Sequence, residues 1–146
     1  MTRKLEPLDL IRLVVGIVFL TEGLLKYVYP QDLGAGRFAR IGLPWPGGLA
    51  PFVGAVEMAG GLSLLLNLAP GYAAMALCAV ISTALVTTKL PVLLGRPVGP
   101  FTLMKAPYYG VLGFLHEART DIGMLAGTVA LIWRHFGACQ IPVHKN

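Results

Sequence analysis

The most constraining feature of this sequence is a carboxylate inside a continuous apolar run. The run LAPFVGAVEMAGGLSLLLNLA covers residues 49–69, and Glu57 is its one charged residue. About 20 helical residues, each rising about 1.5 Å, cross the roughly 30 Å hydrocarbon layer of a bilayer. An ionised group at that depth is costly unless the protein compensates its charge. The run therefore predicts a membrane-spanning helix that carries part of a polar site.

The composition agrees with a membrane protein. Of 146 residues, 55% are hydrophobic and 13% are charged, whereas soluble domains carry about 25% charged residues. The net charge is +5, but the basic residues are scattered. We therefore expect the lipid bilayer as the partner, and no nucleic acid, because backbone binding needs clustered basic groups. The length suits a single domain over residues 1–146.

The hydrophobic pattern predicts an all-α integral membrane protein with a bundle of four transmembrane helices. The expected spans are residues 8–29, 49–69, 71–94 and 121–136. The first span begins like a signal peptide but continues through Glu22 and Lys26 with no small-residue cleavage site, so we interpret it as retained. Asp121 is expected near the N-terminus of the fourth span, where a carboxylate complements the helix dipole. Between spans three and four, residues 105–115 predict a short extra helix or a re-entrant segment.

Four spans place both chain ends on one side of the membrane and the two long connections on the other. At about 1.5 Å per residue, Glu57 lies about 12 Å deep from the loop side, Glu22 about 10 Å and Lys89 about 8 Å. The segment HEARTD lies where the fourth span begins on that side. One half of the bilayer is thus expected to hold a charged cluster, namely Glu22, Lys26, Glu57, Lys89, His116, Glu117, Arg119 and Asp121.

Within this cluster Glu57 and Lys89 are the predicted catalytic pair. Glu22 and Lys26 are spaced i, i+4 in the favourable order for a helical ion pair. The predicted proton-relay or ligand-binding residues are Glu22, Lys26, His116, Glu117, Arg119 and Asp121. The glycines that share a face with Glu57, where a helix or a flat ligand could approach closely, are Gly54, Gly60 and Gly61.

Each of these features also has a purely structural interpretation. The Glu57–Lys89 pair could serve only to fix helix register, and Glu22 with Lys26 could form a solvated pair near the interface. His116 could be an interfacial hydrogen-bonding residue, and the charges that follow it could cap the fourth span. Gly123 and Gly127 have the GxxxG spacing of helix packing. No metal site or haem is expected, because the sequence has only three histidines and no Cys/His zinc spacing.

The stretch RFARIGLPWPGGLAPFVGAVEMAGGLSLLL resembles the DoxX family of small bacterial membrane proteins, with its Gly-x-Pro-x-Pro loop, Gly54, Glu57 and the Gly60-Gly61 pair. The opening LDLIRLVVGIVFLTEGLLKY and the closing HEARTDIGMLAGTVALI fit the same family. The resemblance covers roughly residues 8–136 and implies a four-helix protein of the bacterial inner membrane. The family is similar in name to a subunit of a thiosulfate–quinone oxidoreductase, which implies a link to quinone chemistry.

Two functional hypotheses follow from the sequence. The first is a membrane subunit of a quinone-linked oxidoreductase system, which binds a quinone-like amphiphile at the polar cluster and works with a redox partner protein. The second is a non-enzymatic scaffold or assembly subunit whose buried charges fix helix packing. A transporter is a weaker third hypothesis, because four helices enclose little space unless the chain forms a homo-oligomer. Basic residues occur on both sides of the spans, so the positive-inside rule does not decide the orientation.

Overall fold

A computed structural model describes residues 6–137, and these residues form an all-helical bundle without strands. Four helices are long, and two are short. The helices are α1 (Pro7–Val28), α2 (Ala35–Ile41), α3 (Pro46–Leu65), α4 (Pro70–Ala84), α5 (Leu90–Leu94) and α6 (Val111–Ile132). A π-helical turn, Leu85–Lys89, joins α4 to α5, and a second one, Trp133–Gly137, continues α6.

Prolines set the first turns of three of the long helices. Pro7, Pro46 and Pro70 each stand at the start of a helix, where the missing N–H group costs nothing because it would have no partner in the helix. Pro91 has a different effect, because it lies inside the continuous helical segment of residues 70–94. It cannot donate to the carbonyl four residues earlier, and the backbone preceding it takes the π-helical turn.

Helices α1 and α3 pack against each other more extensively than any other two elements of the described chain. Two glycines on each helix make this close approach feasible, and each pair is spaced by seven residues: Gly16 and Gly23 on α1, Gly54 and Gly61 on α3. A Cβ atom on Gly23 would lie 2.6 Å from the carbonyl oxygen of Gly54, and one on Gly61 would lie 2.7 Å from that of Gly16. The helices therefore pack antiparallel and almost backbone to backbone.

The core of the bundle lies where α1, α3, α4 and α6 meet. Its buried members are Val15, Phe19, Leu64, Ala74, Leu77, Ile81 and Leu131. At one end of the bundle, Arg134 donates to Glu6 at 2.7 Å and to Asp9 at 3.4 Å. These contacts join the beginning of α1 to the residues after α6, as expected for an even number of antiparallel passes.

The fourth long helix begins ten residues earlier than the sequence pattern predicted. The expected boundary at Asp121 is wrong, because α6 runs from Val111 to Ile132 and Asp121 lies in its middle. Glu, Ala and Arg in HEARTD are strong helix formers, so a polar stretch was mistaken for the end of a loop. Gly110, with φ of 85°, is the actual boundary.

The expected extra helix between spans three and four is also wrong. Residues 95–110 contain no helix, and residues 111–115 belong to α6. A short helix occurs instead in the first long connection, where α2 is bounded by Gly34 and Gly42. Gly42 has φ of 89°, a left-handed conformation that ends a helix and favours glycine.

Within residues 6–137, two helical segments are long and apolar enough to cross a membrane: Pro46–Leu65 and Pro70–Leu94. The second contains α4, the π-helical turn and α5. Helices α1 and α6 are also 22 residues long, but they carry more charged residues. Many of those charges belong to the site described next.

Candidate functional site

The shortest of the buried ion pairs in the described chain joins α1 to α3. Lys26 Nζ lies 2.5 Å from Glu57 Oε2, and the two side chains are only 11% and 7% exposed. The contact between Gly23 and Gly54 brings the two helices together about one turn before Lys26 on α1 and one turn before Glu57 on α3. Lys26 also donates to the backbone carbonyl of Glu22 at 3.4 Å. The ammonium group therefore bridges the two helices next to one of their close glycine contacts.

A second ionic group joins the π-helical turn to α6. Lys89 Nζ lies 3.8 Å from Glu117 Oε2 and 3.8 Å from Asp121 Oδ2. Glu117 and Asp121 are four residues apart, so they share one face of α6. The Lys89 side chain is 15% exposed, whereas its two partners are 33% and 26% exposed. This group is longer and more open than the Lys26–Glu57 pair.

The predicted pairing of Glu57 with Lys89 is wrong. Glu57 is paired with Lys26, while Lys89 is engaged by the two carboxylates of α6. The expected side-chain pair between Glu22 and Lys26 is wrong too, because Lys26 contacts the backbone carbonyl of Glu22 and not its carboxylate. The cause is the glycine-mediated approach of α1 and α3, which places Lys26 nearer to Glu57 than the i, i+4 pattern implied.

Both ionic groups face one cavity of about 540 Å³. Its polar wall contains Lys26, Glu57, Lys89, Glu117 and Asp121, and the carboxylate-bearing Glu22 lines it as well. The apolar part of the lining is formed mainly by Val18, Phe19, Phe38, Ile41, Val53 and Val80. The predicted convergence of charges from separate helices is thus observed for six of the eight cluster residues.

Helix α2 supplies part of the cavity that sequence reasoning missed. Arg37, Phe38 and Ile41 all line the cavity, and the charge of Arg37 acts on both Glu57 and Asp121. Arg40, on the same short helix, instead donates to the backbone carbonyls of Gln31 and Asp32. A run of seven residues between two glycines was the available signal for this helix, and it was not used.

His116 and Arg119 are not part of the cavity wall. His116 is exposed and packs edge-on against Tyr108, with ring centroids 6.5 Å apart. Arg119 donates to the backbone carbonyl of His116 at 2.6 Å. The structure therefore gives these two residues local contacts, in agreement with the structural interpretation and not with the predicted relay.

The three glycines that were expected beside Glu57 serve helix packing. Gly54 and Gly61 face α1, and a Cβ atom on Gly60 would lie 2.8 Å from the side chain of Leu77 on α4. None of the three lines the cavity. Of the predicted GxxxG pair on α6, Gly127 packs against Val15 of α1, whereas a Cβ atom on Gly123 would meet nothing within 4 Å.

Long apolar helices around buried, paired charges define this chain as a helical membrane protein with a polar interior site. The chain belongs to the DoxX family, whose sequence model matches residues 8–90. It is also similar to Rv3486 of Mycobacterium tuberculosis, which is described as an uncharacterized membrane protein. The two are 44% identical over 126 residues, which is 84% of this chain and 71% of the relative. No solved structure matches the chain significantly.

Proposed function

We propose that this protein is the membrane subunit of a quinone-linked oxidoreductase system and that its cavity binds a quinone-like amphiphile. The observation that carries the proposal is the cavity itself, which is lined by ion pairs and by apolar side chains. Pockets for small ligands are typically about 300–1,000 Å³ with a few polar groups among apolar ones. The volume of about 540 Å³ suits the head group and the first part of an apolar tail.

We further propose four membrane spans, formed by α1, α3, α4 continued through α5, and α6, in the bacterial cytoplasmic membrane. The support is an exposed apolar surface on α1 and α6 in addition to the two strongly apolar segments. On α1, Leu10, Ile17 and Val28 are 55–65% exposed, and on α6 Leu112 is 78% exposed. Large exposed apolar faces are rare on soluble monomers but suit contact with lipid.

The chemistry assigned to the cavity is proton-coupled binding. A quinone offers carbonyl oxygens that accept hydrogen bonds, and Lys26 and Lys89 carry the ammonium donors of the polar wall. Glu57, Glu117 and Asp121 neutralise these two cations and can accept protons. Electrons would pass to or from a redox partner protein, and assembly as a homo-oligomer is compatible with this role.

Filling the cavity tests the proposal. We expect Val80→Trp to reduce the quinone that copurifies with the protein at least about tenfold, because Val80 lines the cavity and the indole occupies ligand volume. Quinone is extracted from purified protein and quantified against protein by mass spectrometry. Val86→Trp is the matched control, since Val86 is 52% exposed and lies outside the cavity wall. Equal quinone content in Val80→Trp, Val86→Trp and the unaltered protein would refute binding in this cavity.

A second candidate function is a non-enzymatic assembly scaffold. It is favoured by one specific observation: five of the charged residues of the polar wall are already engaged in ion pairs with each other. Under this alternative, the purified protein contains no stoichiometric quinone, and Lys26→Met combined with Glu57→Gln leaves biological function intact. The quinone-linked proposal predicts loss of function in the same double variant.

A further inference from the structure

Two charged side chains of the cavity lack an ion-pair partner within 4.0 Å among the residues that the structure describes. They are Glu22 on α1 and Arg37 on α2. All other charged residues of the wall are paired, either as Lys26 with Glu57 or as Lys89 with Glu117 and Asp121. The two unpaired groups have opposite charge and come from different helices.

Both residues belong to the lining of the same cavity. Each acts electrostatically on the same two carboxylates, Glu57 and Asp121. The fold holds Arg37 in place, because α2 packs on α3 and is tied to the preceding turn through Arg40, which donates to Gln31 and Asp32. The backbone that carries Arg37 is therefore held by the fold, and a ligand in the cavity meets both a guanidinium and a carboxylate.

Arg37 and Glu22 form hydrogen bonds with different kinds of ligand atom. A guanidinium has five N–H donors and no acceptor, whereas a carboxylate only accepts. A hydroquinone hydroxyl can donate to the carboxylate and accept from the guanidinium. A quinone carbonyl can accept from Arg37 but offers no hydrogen to Glu22, so the hydroquinone makes one charge-assisted hydrogen bond that the quinone cannot make.

We propose that Glu22 and Arg37 form a head-group clamp that selects the hydroquinone form of the amphiphile over the quinone form. This inference rests on the proposed function and makes it more specific: the bound species is the reduced, hydroxyl-bearing one. Within the clamp, Glu22 determines the preference for the hydroxyl donor, and Arg37 holds the oxygen of either form.

The test measures binding of a benzoquinone with a decyl tail, and of its hydroquinone kept reduced under anaerobic conditions, to the full chain in lipid nanodiscs. We expect the unaltered protein to bind the hydroquinone at least about tenfold more tightly, the order of effect of one charge-assisted hydrogen bond. Glu22→Gln is expected to abolish this preference while keeping quinone binding, because an amide both donates and accepts. Arg37→Gln is expected to weaken both forms about tenfold or more.

Arg40→Gln is the matched control, because Arg40 lies on the same helix but bonds only to backbone carbonyls; it should bind both forms as the unaltered protein does. Equal affinity of the unaltered protein for the two forms would overturn the clamp and leave quinone-type binding standing. The clamp would also be overturned if Glu22→Gln kept the full preference for the hydroquinone, or if Arg37→Gln bound both forms as tightly as Arg40→Gln. Binding of neither form would overturn the proposed function and the clamp together.

Discussion

Replacing Lys26 by Met is expected to lower the free energy of unfolding by about 3–5 kcal/mol, the cost of leaving a buried charge without its partner. Glu57 is 5% exposed, and Lys26 Nζ is its ion-pair partner at 2.5 Å. Glu57→Gln is expected to cost less, because the long Lys26 side chain can move its ammonium group towards a polar region. The measurement is reversible unfolding in mixed micelles, followed by circular dichroism.

The double variant isolates the interaction energy of the Lys26–Glu57 pair from the other effects of the two single substitutions. Lys26→Met with Glu57→Gln should recover about 2–3 kcal/mol relative to the sum of the single losses, the upper part of the usual range for residues in contact. Lys89→Met is the comparison, because its partners lie at 3.8 Å and are more exposed. It should cost about 1 kcal/mol, as partly solvated pairs do. A loss for Lys26→Met no larger than that for Lys89→Met would contradict the central role of the Lys26–Glu57 pair.

The second large effect is expected at the interface of α1 and α3. Gly61→Ala should destabilise the protein by about 2–3 kcal/mol, because overpacking a tight contact forces the backbone to move. The new Cβ atom would lie 2.6 Å from the backbone nitrogen of Leu20 and 2.7 Å from the carbonyl oxygen of Gly16. Both are backbone atoms, so no side-chain rotation relieves the clash. The same micelle unfolding assay measures the loss.

Gly123→Ala on α6 is the control for helix propensity. Nothing lies within 4 Å of a Cβ atom at Gly123, and alanine is favoured over glycine in a helix interior by about 0.5–1 kcal/mol. This variant should therefore be unchanged or slightly more stable. Equal losses for Gly61→Ala and Gly123→Ala would mean that α1 and α3 do not approach each other as closely as described.

The sequence predicted three of the long helices to within a few residues because prolines and glycines mark their ends. Pro46 and Pro70 begin helices, and Gly95 ends the segment that contains α5. The start of α6 was not predicted, because its first half carries charges and was assigned to a loop. Those charges belong in the helix, since Glu117 and Asp121 face the cavity and Lys89.

The membership of the ionic cluster was largely predictable from the expected distance of each charged residue from the loop-side end of its helix. The pairing within the cluster was not predictable in this way. Lys26 and Lys89 lie at similar distances from the loop-side ends of their helices, so depth alone does not decide which one reaches Glu57. The decision depends on which helix packs closest to α3. The matching seven-residue spacings of Gly16 with Gly23 and of Gly54 with Gly61 contained that information, and they indicate α1.

The most direct test of the central claim is photoaffinity labelling of the protein in its native membrane with an azido-quinone, followed by mass spectrometry of the labelled peptides. Labelling that excess quinone suppresses is expected in the cavity-facing segments 18–26, 49–57 and 83–89. It should be absent from the open apolar groove lined by Met75 and Cys78 of α4 and by Phe136 of the π-helical turn that follows α6. Suppressible labelling confined to that groove, or none at all, would contradict a quinone site between the two ionic groups.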